Sequence, residues 1–375
     1  MPGCHKVFLS KSYFEHKDKE ARLGLICKRH GTPLYDALIR VGPARRVIMN
    51  NQAHNDPITP FHSAPIFVPD PPGPICHCPT LVELPGGDLL AAWYAGAYET
   101  APDQVVLAAR FRRDELDWTA PVIIVDTPGH ADGQPVLYAH PSGAVWLFFV
   151  TTEEQDWRSA RLKVQTSSDA IQWDKPRVLS DRLGLMFRSK PLDLLGGGIL
   201  IPIYDEVQWQ SMSMMSDDEG LTWRLGNPIV NSPGNIHPTV VQLSDGRLLA
   251  YLRTGGEGGW IWQTISNDSG WTWERPTPTG FPNPNSGIDL IRLHNCHLAL
   301  AFNDSHHRRS PLCVALSEDE GRTWNHGRTL EGGDGEFSYP TLLQTRDGCI
   351  HCVYTYRRET IQHVWFAEQW LLAGR

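Results

Sequence analysis

The sequence has no run of 18 apolar residues, so it offers no helix that could span a membrane. The first 25 residues, MPGCHKVFLSKSYFEHKDKEARLGL, lack the apolar stretch of a signal peptide, which makes a cytoplasmic location the expectation. No basic stripe is visible in a chain of net charge −8, which argues against nucleic acid as a partner. An acidic ligand stays open, because a local basic pocket can sit in an acidic protein. No G-x-G-x-x-G follows a strand pattern and neither a Walker motif nor H-E-x-x-H occurs, so no cofactor is implied. The eight cysteines lack the spacing of a disulfide framework, and several fall in strand-like segments where a reduced, buried thiol is the ordinary state. His77 between Cys76 and Cys78 invites a zinc reading. Strand alternation would instead point the two thiols one way and the imidazole the other, and a structural zinc site usually needs four ligands. No metal is expected.

What the chain has in quantity is punctuation. It carries 33 Gly, 29 Pro and 14 Trp, with only 20% charged residues, which points to many short strands and turns rather than long helices. Three segments share the pattern S-x-D-x-G-x-T-W: Ser216 to Trp223, Ser266 to Trp273 and Ser317 to Trp324. A fourth, Ser167 to Trp173, is degenerate and one residue short, and Trp118 looks like a remnant of a fifth. These Trp positions, 118, 173, 223, 273 and 324, step by 55, 50, 50 and 51. Such an Asp box reads as a β-hairpin turn. Asp accepts backbone N–H bonds, Gly supplies a positive φ, and Trp packs between neighbouring sheets. Its role is to staple the outer rim, so none of its Asp residues is a site candidate.

A second repeat interleaves with the first. Apolar strand, Gly- or Asn-containing turn and apolar strand recur from Pro79, Pro135, Pro191, Pro238, Gly287 and Pro340, which makes six hairpins. Six four-stranded blades of ~50 residues need ~300 residues, and residues 75–375 supply them. The expectation is an all-β, six-bladed β-propeller with Asp-box repeats over residues 61–375, preceded by an extension at 1–60. The Pro-rich Thr59 to Pro74 would lead into blade one, and a last strand around Ile361 to Phe366 would close the ring.

A propeller sets the first strand of each blade nearest the axis, and the second strand returns to the same face. Two sets of residues therefore crowd one mouth. The first holds His77, Gln134, Arg188 and Lys190, His237, Asn285 and Tyr339. The second holds Tyr94 to Asp103, Thr151 to Glu154, Tyr204-Asp205-Glu206, Arg253, Asn303 to Arg309, and Tyr356 to Arg358. Every blade thus donates a polar or ionisable group, and convergent polar groups in one concavity are the default binding site.

Through the three intact Asp boxes and six hairpins, residues 75–375 resemble the sialidase (neuraminidase) superfamily. The resemblance implies three Arg that clamp a sugar carboxylate, a Tyr nucleophile paired with a Glu, and an Asp acid/base; a Tyr nucleophile is a known exception to the two-carboxylate rule. Tyr339, in Phe-Ser-Tyr-Pro-Thr-Leu, fits the nucleophile and Arg253 fits one clamp Arg, with Arg308 or Arg309 as another. The sequence also departs from the pattern. The opening Arg-x-Pro is His77-Cys78-Pro79, the Glu partner is His237, and the acid/base is Glu99 or Asp103. Arg188 and Lys190 are extra cations at blade three.

The leading expectation is a carbohydrate-active enzyme on an acidic sugar. Arg188, Arg253 and Arg308 or Arg309 hold the carboxylate, and Lys190, Tyr204 and His306 line the substrate. Tyr339 is the nucleophile, activated by His237, which would titrate near neutral pH, and Glu99 or Asp103 protonates the leaving oxygen. The His-rich mouth (His77, His237, His306, His307) suits a polysaccharide lyase acting on uronate glycans by β-elimination equally well. A non-catalytic carbohydrate-binding propeller, stacking sugars on Trp93, Tyr94, Tyr204 and Trp260, is the third alternative.

Overall fold

The computed structural model describes residues 61–69, 73–255 and 259–373. The extension expected over residues 1–60 lies outside them. The described strands form six antiparallel sheets of four or five strands each. Their first strands are Ile75–Glu83, Asp132–Ala139, Leu185–Phe187 continued by Leu192–Asp193, Asn235–Gln242, Asp289–Arg292 and Phe337–Gln344. Neighbouring sheets touch around the ring through their first strands, except that Asn235–Gln242 meets the second and third strands of blade three, so the six sheets are the expected six blades.

Blade six corrects one expectation. The segment Thr360–Phe366 is its third strand, not its closing one. The fourth comes from the other end of the described chain: Phe61–Pro65 pairs antiparallel with it, Phe61 opposite Phe366 and Pro65 opposite Gln362. An outermost strand tolerates that proline because the missing N–H need not serve a further neighbour. A short helix, Glu368–Leu372, then lays Trp370 against Phe61 and Phe366, with ring centroids 4.6 and 4.8 Å away.

The Asp boxes behave as their chemistry dictates. In Ser216 to Trp223, Asp218 accepts from the Thr222 backbone at 2.9 Å and from its hydroxyl at 2.6 Å, while the Ser216 hydroxyl accepts from Gly220 N at 2.8 Å. The boxes at 266–273 and 317–324 repeat these bonds. Gly220 needs its glycine twice over. Its φ is +81°, and a Cβ there would lie 2.3 Å from the Trp146 ring of blade two. The Trp side chains bridge blades as expected: Trp223 meets Phe148 edge-on at 6.0 Å, and Trp324 Nε1 donates to the Tyr251 hydroxyl at 3.2 Å.

The feature that builds the axis is a bulge. In four first strands the pairing register shifts at the proline, between His77 and Thr80, Gly133 and Val136, Ile236 and Thr239, and Ser338 and Thr341. The residue before each proline takes a left-handed φ: Cys78 at 57°, Gln134 at 48°, His237 at 51° and Tyr339 at 54°. A bulge re-aims a side chain at a local conformational cost of about 1–3 kcal/mol. In blades one, four and six the Thr after the proline offsets part of it by hydrogen bonding to the next blade. Leu137 N donates to Thr80 Oγ1 at 3.0 Å, Leu290 N to Thr239 Oγ1 at 3.0 Å, and Thr341 Oγ1 to Pro79 O at 2.7 Å.

Candidate functional site

Tyr339 stands at the centre of the axial floor. Its ring is buried, with only 6% exposed, and room for it exists because blade five presents Gly287, where a Cβ would lie 3.2 Å from the Tyr339 Cγ. The guanidinium carbons of Arg188, Arg253 and Arg309 lie 5.3, 5.7 and 5.3 Å from the ring centroid. Arg253 Nη1 donates to the Tyr339 oxygen at 2.8 Å, and Arg253 Nε donates to Asn285 Oδ1 at 2.8 Å. The His77 ring stacks at a tilt on Tyr339 with centroids 4.1 Å apart, and His237 meets it edge-on at 5.3 Å.

Three tyrosines share this floor and differ in what their oxygens face. Tyr94 donates to Glu99 at 2.5 Å, and Tyr204 meets His237 Nε2 at 3.1 Å. Burial, then the charge of Glu99 in one case and Glu206 in the other, pushes both phenols well above their ordinary range. Of the three, Tyr339 alone accepts a hydrogen bond from a guanidinium.

The two histidines are neutral. Burial lowers His237 well below the usual range, and the charges of Arg253, Arg188 and Arg309 push the same way. Burial, then Arg358, Arg309, Arg188 and Arg253, does the same to His77. The expected titration of His237 near neutral pH therefore does not hold. Nor does His237 hydrogen bond directly to Tyr339: Arg253 Nη1 sits between them, 3.1 Å from His237 Nδ1. His77 also corrects the alternation argument. The bulge at Cys78 turns both His77 and Cys78 to the axis, where Cys78 Sγ donates to Gln134 at 3.0 Å, while Cys76 packs behind in the core of blade one. Burial raises both thiols, Cys76 to about 12 and Cys78 to about 11, so neither is a nucleophile. Among the described residues no cluster of three His, Cys, Asp or Glu could hold a metal.

Arg188 comes to the floor but is engaged there, donating to Pro340 O at 2.7 Å and Thr341 Oγ1 at 3.3 Å. Lys190 does not join it. It reaches Leu342 O and lies 3.7 Å from Asp289 Oδ2, deeper along the axis than Tyr339. Arg309 is in the site, but the neighbouring Arg308 and His307 are exposed. His306 is exposed beside Trp260, with Nδ1 2.7 Å from Gly259 O. Trp93 is no part of the mouth, being wholly buried and stacked on Phe67 at 5.5 Å. Asp103 accepts from Ala97 N at 3.2 Å and serves its own loop.

Two residues the sequence reading did not single out complete the constellation. Arg358, in the turn after the second strand of blade six, reaches Glu99 at 3.3 Å and Glu336 at 3.0 Å. Glu336 also accepts from Arg309 at 2.8 Å and from Ser338 Oγ at 2.7 Å. Burial would raise Glu336, but Arg309, Ser338 and Arg358 together hold it below the usual carboxylate range. A signal existed for Arg358, because it lies in the Tyr356 to Arg358 stretch that the blade geometry delivers to the mouth. Three guanidiniums thus surround one tyrosine, and a fourth, Arg358, lies between Glu99 and Glu336, a local excess of positive charge that suits an anion in a protein of net charge −8.

Residues 87–352 match the BNR repeat-like domain family. A sialidase from Micromonospora viridifaciens is 25% identical over 332 residues, covering 75% of this chain and 50% of its own length, so the chain spans half the length of that relative. The NanB sialidase from Streptococcus pneumoniae superposes with a TM-score of 0.69 at 13% identity, over 79% of this chain and 69% of that one. The intramolecular trans-sialidase from Ruminococcus gnavus does so with a TM-score of 0.68 at 15% identity, over 80% and 96%. Identities that low carry the fold alone. With most of its length inside the family span and all six blades in place, the chain belongs to the BNR repeat-like domain family and folds as a six-bladed propeller.

Proposed function

We propose that the protein is a sialidase-type glycosidase acting on an acidic sugar. The observation that carries the reading is the hydrogen bond from Arg253 to the Tyr339 oxygen, inside a ring of guanidiniums. Arg253, Arg309 and Arg358 hold the substrate carboxylate, with Arg358 of blade six supplying the cation that His77 lacks. The guanidinium fork suits a carboxylate. Tyr339 attacks the anomeric carbon as the glycosidic C–O bond breaks, and its proton is lost to water at the mouth, since Arg253 stands between Tyr339 and His237.

The neutral His77 and His237 also fit the lyase alternative, in which Tyr339 removes the proton next to a uronate carboxylate and the linked oxygen leaves by β-elimination. The products separate the two readings, since elimination leaves a conjugated double bond that absorbs ultraviolet light and hydrolysis does not. The test is a screen of sialosides and uronate glycans with the protein and its Tyr339→Phe variant. Turnover by the parent and none by a folded Tyr339→Phe is the expected result. Normal turnover by the variant would remove Tyr339 from the catalytic role, and ligand binding without product in both proteins would overturn the enzymatic reading.

A further inference from the structure

The site has a nucleophile and a clamp, but the blade-one loop supplies no free acid. Glu99 is tied to the Tyr94 hydroxyl and to Arg358, and Asp103 is used by its own loop. Another carboxyl is placed for the task. Glu206 follows the strand Ile199–Asp205 of blade three. It opens the turn that leaves this strand, two residues past Tyr204, whose hydroxyl meets His237 on the floor, and next to Asp205, which pairs with Arg182. Its backbone is anchored, Glu206 N donating to Gly184 O at 2.8 Å. Gly184 in turn packs closely on the Arg158 carbonyl of blade two, where a Cβ would lie 3.1 Å away. The Glu206 carboxyl itself has no hydrogen-bonded or ion-paired partner among the described residues.

From this placement we infer that Glu206 is the proton donor and acceptor of the site, a role that rests on the glycosidase reading above. In the first half-reaction the electron pair of the breaking C–O bond stays on the departing oxygen, which takes the Glu206 proton. Tyr339 oxygen takes the vacated bond to carbon, and its own proton is lost to solvent. In the second half, water gives one proton to the Glu206 carboxylate while its oxygen displaces Tyr339, which recovers its proton from solvent. Glu206 thus cycles between acid and carboxylate.

The electrostatic surroundings agree. Burial is the main cause that raises Glu206 to about 7; Asp156, Asp205 and Glu99 add to it, and Arg253 opposes it. Arg158, in the turn Trp157–Ser159 of blade two, also feels its charge. A general acid is most effective when it titrates near the working pH.

Two measurements on the full chain test the assignment. Infrared difference spectra between pH 5 and pH 8 should show a carboxylic C=O band that titrates near neutrality. The band should vanish in Glu206→Gln and persist in Glu99→Gln; its persistence in Glu206→Gln overturns the proposal. Glycosides of one acidic sugar with contrasting leaving groups give the second readout. Glu206→Gln should lose ~10²–10⁴-fold on an alcohol leaving group, keep most activity on a nitrophenyl leaving group that departs unprotonated, and lose the alkaline limb of the pH profile. An equal loss on both overturns the proposal. If the parent turns over no acidic glycoside, the glycosidase reading fails, while the infrared result still decides whether Glu206 holds the proton.

Discussion

Arg358 shows how a residue can hold its chemistry out of sight in a sequence. It and Arg357 occupy the turn between Tyr356 and Thr360 with φ of 59° and 54°, a region that glycine or asparagine would fill at less cost. Two arginines there are a conformational expense, and the compensation is visible only for Arg358, which bonds Glu336 and reaches Glu99. Arg357 is exposed, donates to the backbone carbonyl of Asp334 and lies over the Tyr356 ring, 5.4 Å from its centroid, away from the site carboxylates. Burial opposes the Arg358 charge, yet Glu99 and Glu336 outweigh it and hold the guanidinium firmly protonated. Arg358→Ala is expected to raise KM for the acidic substrate by about 10–100-fold, the worth of a charged hydrogen bond or two, with a smaller effect on kcat. Arg357→Ala should leave both parameters near those of the parent. Steady-state kinetics on the two variants decide it, and equal effects would remove Arg358 from the clamp. Residue type and position in the chain announced Tyr339 and Arg253, and Arg309 only as an alternative to Arg308. They could not announce Glu336, because its value lies in two arginines from other segments that converge on it.

The strand and turn are the elements at which the sequence was most readable and, in one place, most misleading. The Asp boxes were legible because every role in them is local: Asp, Gly and Thr answer one another within eight residues. Gly220 allows a direct check. Gly220→Ala meets both a left-handed φ and the Trp146 ring, whereas Gly246→Ala meets a φ of 90° and open space. The first should cost about 1–3 kcal/mol more than the second, read as a lower urea midpoint at an unchanged slope. Equal midpoints would show that the Trp contact is not tight. The alternation argument at Cys76, His77 and Cys78 failed because it assumed an unbroken strand. The Pro79 bulge adds a residue to one side of the ladder and changes which side chains reach the axis. A His-Cys-Pro triplet does not reveal that it will bulge until the six-fold register of prolines is laid beside it.

At the scale of the whole molecule, buried imidazoles set the response to acid. Burial is the main cause that lowers His77, His237 and His363 well below 6.5 and His351 to about 3. The folded protein thus keeps them neutral, while the unfolded chain protonates them as pH falls below 6.5. The unfolded state then binds more protons, so stability is full above that pH and declines below it, by up to ~1.4 kcal/mol per pH unit for each histidine. Glu206, raised in the folded state, works in the opposite sense with one proton. The Asp-box carboxyls Asp218 and Asp319, held at about 2, matter only below pH 4. Urea midpoints are therefore expected to fall from pH 7 to pH 5 and His351→Asn to flatten the decline by one proton; a flat profile in the parent would contradict the burial of these rings.

Ring closure by Phe61–Pro65 also sets an order in time. As the chain is made, this strand appears before any blade exists, and its partner Thr360–Phe366 appears after five blades and most of the sixth. Until then the strand is an unpaired edge that neighbouring chains can claim. Tyr339, Glu336 and Arg358 all belong to the blade it completes. The first described strand of the propeller and the last parts of its chemistry therefore mature together, and activity should appear in refolding only at the final docking step, after most of the β-structure has formed.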